Sequence, residues 1–151
     1  MSVLDRLQAL GIVLPPVAVP AAAYVPFVRS GNLLFLSGHI ARRDGRPWVG
    51  QLGRDTDTAT GREAARAVAI DLLGTLHAAA GGLDRVARIV KVLGLVNSAP
   101  DFTEHHLVVN GCSELLAQVF GDAGAHARSA FGVAQIPLGA CVEIELVAEV
   151  G

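Results

Sequence analysis

Arg128 is the residue whose surroundings most directly suggest a site. It opens the run Arg128-Ser129-Ala130-Phe131-Gly132-Val133-Ala134, and β alternation puts Ala130, Gly132 and Ala134 on its own face. A long cation above a floor of small residues leaves room for a ligand beside it. Beyond Gln135-Ile136 and a Pro137-Leu138-Gly139 turn comes a second β-type run. There Val142, Ile144 and Leu146 alternate with Cys141, Glu143, Glu145 and Val147, giving one apolar face and one face carrying carboxylates. The plainer reading of the same residues is a surface ion pair of Arg128 with Glu145 or Glu149, worth about 0–1 kcal/mol.

The turn predicts a hairpin between the two runs. A register with Gln135 opposite Ala140 sets Arg128 opposite Val147 and Gly132 opposite Glu143. Arg128 and both glutamates then share a face, with Arg128 and Glu143 roughly 13 Å apart at about 3.4 Å per residue. Shifting the register by one residue puts them on opposite faces, and the turn leaves both open.

Other chemistry is sparse. No glycine-rich nucleotide loop, nucleophile elbow or His-Glu-x-x-His helix motif occurs, so no organic cofactor or metal is expected. His105 and His106 are adjacent and have no ligand partner one helical turn away. Cys112 reads as a small core residue, and with only Cys141 beside it in the chain, a reduced cytoplasmic protein is expected. The net charge is −2 and the longest basic run is the pair Arg42-Arg43, so the footprint of a nucleic-acid binder is missing. No apolar run reaches the ~18 residues of a membrane span.

The elements that must position these residues follow in order. The 151 residues are 52% hydrophobic and 17% charged, which predicts one compact domain that hides part of its surface in self-association. Val3, Leu4, Leu7 and Leu10 predict a short helix, and Pro15, Pro16 and Pro20 an extended lead-in, over residues 1–20. Strands are expected at 24–29 and 33–37 around Ser30-Gly31-Asn32, with a short one near Trp48-Val49. A capping box at Thr60–Glu63 starts a helix ended by Gly81-Gly82. Val86–Val96 is a long strand with Gly94 a possible bulge, and Asp101 caps a second helix. Asn110-Gly111 inside that helix competes as a turn signal, but one helix, kinked or closely packed at Gly111, is the better reading. The order predicts an α+β two-layer sandwich, with two main helices on one face of a mixed, mostly antiparallel sheet. The uncovered sheet face must be buried, most simply in an oligomer.

Several stretches resemble one family. Tyr24 with Gly31-Asn32-Leu33-Leu34-Phe35-Leu36-Ser37-Gly38 resembles the N-terminal signature of the Rid (reactive intermediate deaminase, YjgF-like) family. Asp101-Phe102 and His126-Ala127-Arg128-Ser129 through Ile136-Pro137 to Val142-Glu143-Ile144-Glu145 resemble its C-terminal signature. Asn110-Gly111-Cys112-Ser113-Glu114-Leu115 with Phe120-Gly121 is similar to a longer subgroup whose activity is less settled. The resemblance implies a chorismate-mutase-like fold, a homotrimer, and clefts between subunits where 2-imino or 2-enamino acids are hydrolysed to 2-oxo acids and ammonia. It makes Arg128 the clamp for a substrate carboxylate and Glu143 the residue holding the attacking water. Tyr24 and Ser37 would line the cleft, with His106, Asn110 and Ala130 nearby. The chain departs from the family at Ala130, where a cysteine is usual, at His39 in place of glutamine, and at His106 in place of asparagine, with Asn110 one turn on. An alternative is a non-catalytic trimer that binds small carboxylates as a sensor or carrier.

Overall fold

A computed structural model describes residues 1–17 and 22–151. Pro20 of the predicted lead-in lies outside the described residues. The first helix, α1 (Val3–Ala9), is capped by Ser2, whose hydroxyl accepts from the Asp5 N–H while the Asp5 carboxylate accepts from the Ser2 N–H. It is docked on the body: the Val3 N–H donates to Asp84 at 3.1 Å, and Arg6 donates to the Val119 carbonyl at 3.1 Å.

The strands are β1 (Phe27–Ser30), β2 (Leu33–Ile40), a small β3–β4 ribbon (Arg42–Arg43, Arg46–Pro47), β5 (Val86–Asn97), β6 (Ala127–Val133) and β7 (Val142–Val150). Two long helices, α2 (Thr58–Ala80) and α3 (His105–Phe120), precede and follow β5. The main sheet has the order β1-β2-β7-β5-β6, antiparallel except for the parallel β5–β6 pair. Both long helices pack on one face, and the buried residues of α2, α3 and the sheet form one core. Strand β7 alternates as expected, with Val142, Ile144, Leu146, Ala148 and Val150 buried. This is the predicted two-layer α+β sandwich.

The predicted hairpin is not formed. The turn at Pro137–Gly139 is present, with Leu138 left-handed at φ 62°, yet β6 and β7 lie on opposite sides of β5. Strand β5 is long and apolar toward both faces, with Val92 and Val96 buried and Leu93 and Leu95 half-buried, which suits an interior strand. The Asn97 side chain at its end fastens the crossing. Its amide donates to Gln135 at 2.6 Å and to the Ala140 carbonyl at 3.3 Å.

Other boundaries also differ from expectation. Tyr24 precedes β1, and the short strand falls at Arg46–Pro47, leaving Val49 a single bridge to Ala140. Helix α2 begins earlier, capped by Asp57, whose carboxylate accepts from the Thr60 N–H at 2.8 Å. Helix α3 begins at His105 and not after Asp101, and the Glu104 carboxylate at its N-cap is drawn to the Thr58 hydroxyl at 2.6 Å. The irregularities of β5 fall between Val86 and Lys91. Gly94 pairs regularly, and a Cβ there would come within 2.5 Å of Val109, so its small size admits α3.

Helix α3 runs unbroken through Asn110-Gly111 because Gly111 is a point of close approach. A Cβ on it would lie 2.0 Å from the Arg62 carbonyl oxygen of α2. Alanine gains about 1 kcal/mol over glycine in helix propensity, but overpacking against backbone costs about 1–3 kcal/mol. Gly111→Ala should therefore lower the urea midpoint at unchanged slope, a net loss of up to about 2 kcal/mol. A raised midpoint would show that the helices do not meet there.

Candidate functional site

The β5–α3–β6 crossover lays α3 over the edge strand that carries Arg128. Arg128 is paired with Val92, whose other neighbour is the buried Leu146, so all three project to the helix-covered face. The guanidinium meets α3 there. One terminal nitrogen (Nη1) donates to Asn110 Oδ1 at 2.8 Å and to Ser113 Oγ at 3.2 Å, and the other (Nη2) donates to the His106 carbonyl at 3.2 Å. Positions 106, 110 and 113 stand one turn apart along one helix face. It is the His106 backbone and not its ring that makes the contact.

Ser113 is itself held by His126, with Oγ and Nε2 2.8 Å apart. His126 Nδ1 lies 2.6 Å from the Gly124 carbonyl, so in the neutral ring Nδ1 carries the hydrogen and Nε2 accepts from the Ser113 hydroxyl. Ser113 and His126 thus form a second tier of hydrogen bonds beneath Arg128. Sequence reasoning passed over both. The polar stripe at 106, 110 and 113 was the available signal, and it needed the crossover to acquire meaning.

Every acceptor on Arg128 is uncharged. Among the described residues the one ion pair is Arg62–Glu114, and Arg128 has no carboxylate partner. The expected alternative, a pair with Glu145 or Glu149, is absent because those residues project from the other side of the sheet. Three of the five guanidinium N–H groups are engaged. The Nε–H and one Nη2–H make no hydrogen bond to the described residues. Ala130, on the same face as Arg128, is half-buried against the core and pairs with Gly94.

Glu143 lies apart from this cluster. It pairs with Leu95, which pairs with Phe131, so it projects to the open face, opposite Arg128. Of the two registers left open by the sequence, neither describes the result, because β5 separates the strands by two spacings, roughly 10 Å. Glu143 is half-buried, and burial raises its pKa above the ordinary carboxylate range, with Glu145 adding to the rise. A kink in β2 between Leu36 and His39 brings Gly38 against it, where a Cβ would fall 2.4 Å from the carboxylate. Ser37, in the same kink, donates its hydroxyl to the Val25 carbonyl at 2.6 Å and so fixes the segment carrying Tyr24. Tyr24 is 49% exposed.

The predicted site residues therefore fall into two groups. Arg128, Asn110, Ala130 and the His106 backbone meet at the β6 edge. Glu143 lies against Gly38 of the β2 kink, next in the chain to Ser37, which holds the segment of Tyr24. The open sheet face that carries Glu143 also exposes the apolar side chains of Phe35, Val28 and Phe131, by 44%, 54% and 48%. Both thiols are withdrawn from chemistry. Burial pushes Cys112 up to about 12 and Cys141 up to about 11, the nearby Arg128 only partly opposing the first shift. No cluster of three His, Cys, Asp or Glu side chains able to hold a metal occurs among the described residues, and no described helix is long and apolar enough to cross a membrane.

Known proteins resemble this chain over nearly its whole length. Residues 4–150 match the family described as "YjgF/chorismate mutase-like, putative endoribonuclease". Protein TCP17 of Trypanosoma cruzi is 48% identical over 146 residues, which is 95% of this chain and 91% of that protein. Atu1372 of Agrobacterium tumefaciens, a crystal structure of unknown function, superposes with a TM-score of 0.90 at 42% identity, over 99% of this chain and 93% of that one. A crystal structure from Shewanella oneidensis, described as a putative endoribonuclease, gives 0.95 at 32% identity over 99% and 100%. Together with the chorismate-mutase-like layering, these matches identify the chain as a member of the YjgF family.

Proposed function

We propose that the protein is a cofactor-independent deaminase that hydrolyses small 2-imino or 2-enamino acids to 2-oxo acids and ammonia, in clefts between the subunits of a cytoplasmic homotrimer. The observation that carries this reading is Arg128: a guanidinium fixed by neutral acceptors, without a carboxylate partner among the described residues, and with two N–H donors not engaged by them. Such a group is a ready clamp for the carboxylate of an amino-acid-derived substrate.

Glu143 supplies the second function. It takes a proton from water as the water oxygen bonds to the imine carbon and passes that proton to the imine nitrogen, giving a carbinolamine. The carbinolamine hydroxyl proton then moves through the Glu143 carboxylate to the nitrogen as the carbon–nitrogen bond breaks, releasing ammonia and the 2-oxo acid. An imine carbon is electrophilic enough that water suffices, so Ala130 in the place of a cysteine is compatible with turnover. Because Arg128 and Glu143 project to opposite faces of one chain, the reading requires them to meet across two copies. The exposed apolar side chains of the open face support that association. Two different patches meeting head to tail close into a ring, which fits a trimer. The separation within one chain also favours a second reading, a trimer that binds small carboxylates without turnover.

Three measurements test this. Arg128→Ala should weaken binding of pyruvate, the simplest 2-oxo acid product, by about 2–3 kcal/mol, on the order of a hundredfold in Kd, with Arg128→Lys recovering only part. Undiminished binding in Arg128→Ala would remove the clamp.

In a coupled assay that generates 2-iminopropanoate in situ, an equal mixture of refolded Arg128→Ala and Glu143→Gln subunits should recover roughly a quarter of wild-type turnover, since one interface in four then carries both intact residues. Recovery of nothing, with an active wild type, would mean that each site lies within one chain. Saturable pyruvate binding with no wild-type turnover would leave the carrier reading.

The pH profile has a definite sign. A base must be deprotonated, so the rate should rise with pH through the pKa of Glu143, which burial sets above the ordinary carboxylate value. That acid limb should disappear in the residual activity of Glu143→Gln, and its persistence would assign the base elsewhere.

A further inference from the structure

A second arrangement of reactive side chains lies where the parallel pair β5–β6 ends. Ser98 directly follows β5, and His105 is the first residue of α3. Ser98 Oγ and His105 Nε2 are 3.1 Å apart, a hydrogen bond that a serine nucleophile makes to its base. The imidazole is also oriented by Phe102, whose ring stands edge-on to it at 84° with centroids 5.1 Å apart. Both Ser98 and His105 line a cavity of about 350 Å³ whose other walls are Ala99, Pro100, Phe102, Gly132, Val133 and Ala134. In open parallel sheets the crevice beyond the carboxyl ends of the strands is where ligands bind, and β5–β6, the parallel pair of this sheet, presents the same local arrangement beside the start of its crossover helix.

The position facing the pair is a glycine, and its backbone is not in a conformation that requires one. A Cβ on Gly132 would fall 2.3 Å from Ser98 Oγ and 2.7 Å from His105 Nε2. The absence of a side chain there is what lets the serine and histidine meet beside the cavity. His105 is suited to act as a base at neutral pH, because burial, with His106 adding, holds its pKa below the ordinary histidine value and keeps the ring uncharged. The site is separate from the Arg128 cluster. Arg128 touches α3 at the next residue and one turn on, and neither Ser98 nor His105 contacts it.

We propose that Ser98 and His105 form a nucleophile–base pair that hydrolyses small esters with short apolar acyl groups in the cavity beside Gly132. Ser98 Oγ bonds to the ester carbonyl carbon as its proton passes to His105 Nε2. The carbon–oxygen bond to the leaving group then breaks, and that proton goes to the departing alcohol. Water adds to the acyl carbon with its proton taken by His105, the bond to Ser98 Oγ breaks, and the carboxylic acid leaves as Oγ regains a proton. The walls of alanine, proline and valine offer no counter-charge, so an uncharged acyl group fits and a dianion does not.

The test uses p-nitrophenyl acetate with the full-length protein. Wild type should release p-nitrophenol faster than an equal concentration of imidazole. Ser98→Ala, His105→Gln and Gly132→Ala should each reduce the rate, on the order of a hundredfold for the first two. A wild-type rate no greater than that of Ser98→Ala overturns the proposal. A measurement on unmutated protein guards against misfolded variants: phenylmethanesulfonyl fluoride should leave its sulfonyl group on the peptide containing Ser98. Modification absent from that peptide overturns the proposal equally.

Discussion

The placement of β5 between β6 and β7 governs the geometry of the molecule. A strand apolar toward both faces is most stable where it has a hydrogen-bonded neighbour on each side, and β5 obtains a parallel partner in β6 and an antiparallel one in β7. A parallel partner cannot be reached through a tight turn, so α3 must cross over the sheet to connect the two. That crossover sets Asn110 and Ser113 over Arg128 and starts α3 at His105, beside Ser98. Both polar clusters on this side of the molecule are consequences of one strand order.

The electrostatics follow from the same arrangement. A half-buried guanidinium needs partners, and a carboxylate would satisfy it at the expense of ligand binding. Here its partners are an amide oxygen, a hydroxyl and a backbone carbonyl, which orient the group while leaving its charge in place. The carboxylates of β7 are kept away by parity: residues 143, 145 and 149 alternate with the buried stripe and must project from the other face. Within one chain the cation and the raised-pKa glutamate are therefore insulated from each other by the sheet. In the proposed assembly they meet across subunits, and the exposed apolar residues of the open face would be covered by the same contact.

Small residues mark the places where elements approach most closely. Gly111 admits the backbone of α2, Gly94 admits α3, Gly38 makes room for the Glu143 carboxylate, and Gly132 makes room for Ser98 and His105. Two of these sites serve packing and two serve polar side chains. Ala130 belongs to the same pattern, half-buried against the core on the face that carries Arg128 and paired with Gly94.

The sequence by itself determined the layers and most of the elements. Gly81-Gly82 marked the end of α2, strict alternation marked β7, and the run Val86–Val96 marked a long strand. Local motifs also carried the family resemblance, and they singled out Arg128 and Glu143. The partners of those residues were not legible. A Pro-Leu-Gly turn reads as a hairpin because turn chemistry is local, whereas strand order depends on which distant segments bury each other, and here β5 enters between the two arms. The α2 and α3 boundaries were misread for a related reason: Asp57 out-competed Thr60 as a cap, and Glu104 was drawn to Thr58 on another helix. Ser113, His126 and the Ser98–His105 pair join residues separated in the chain by loops or by a helix, and only tertiary packing put them within hydrogen-bond distance.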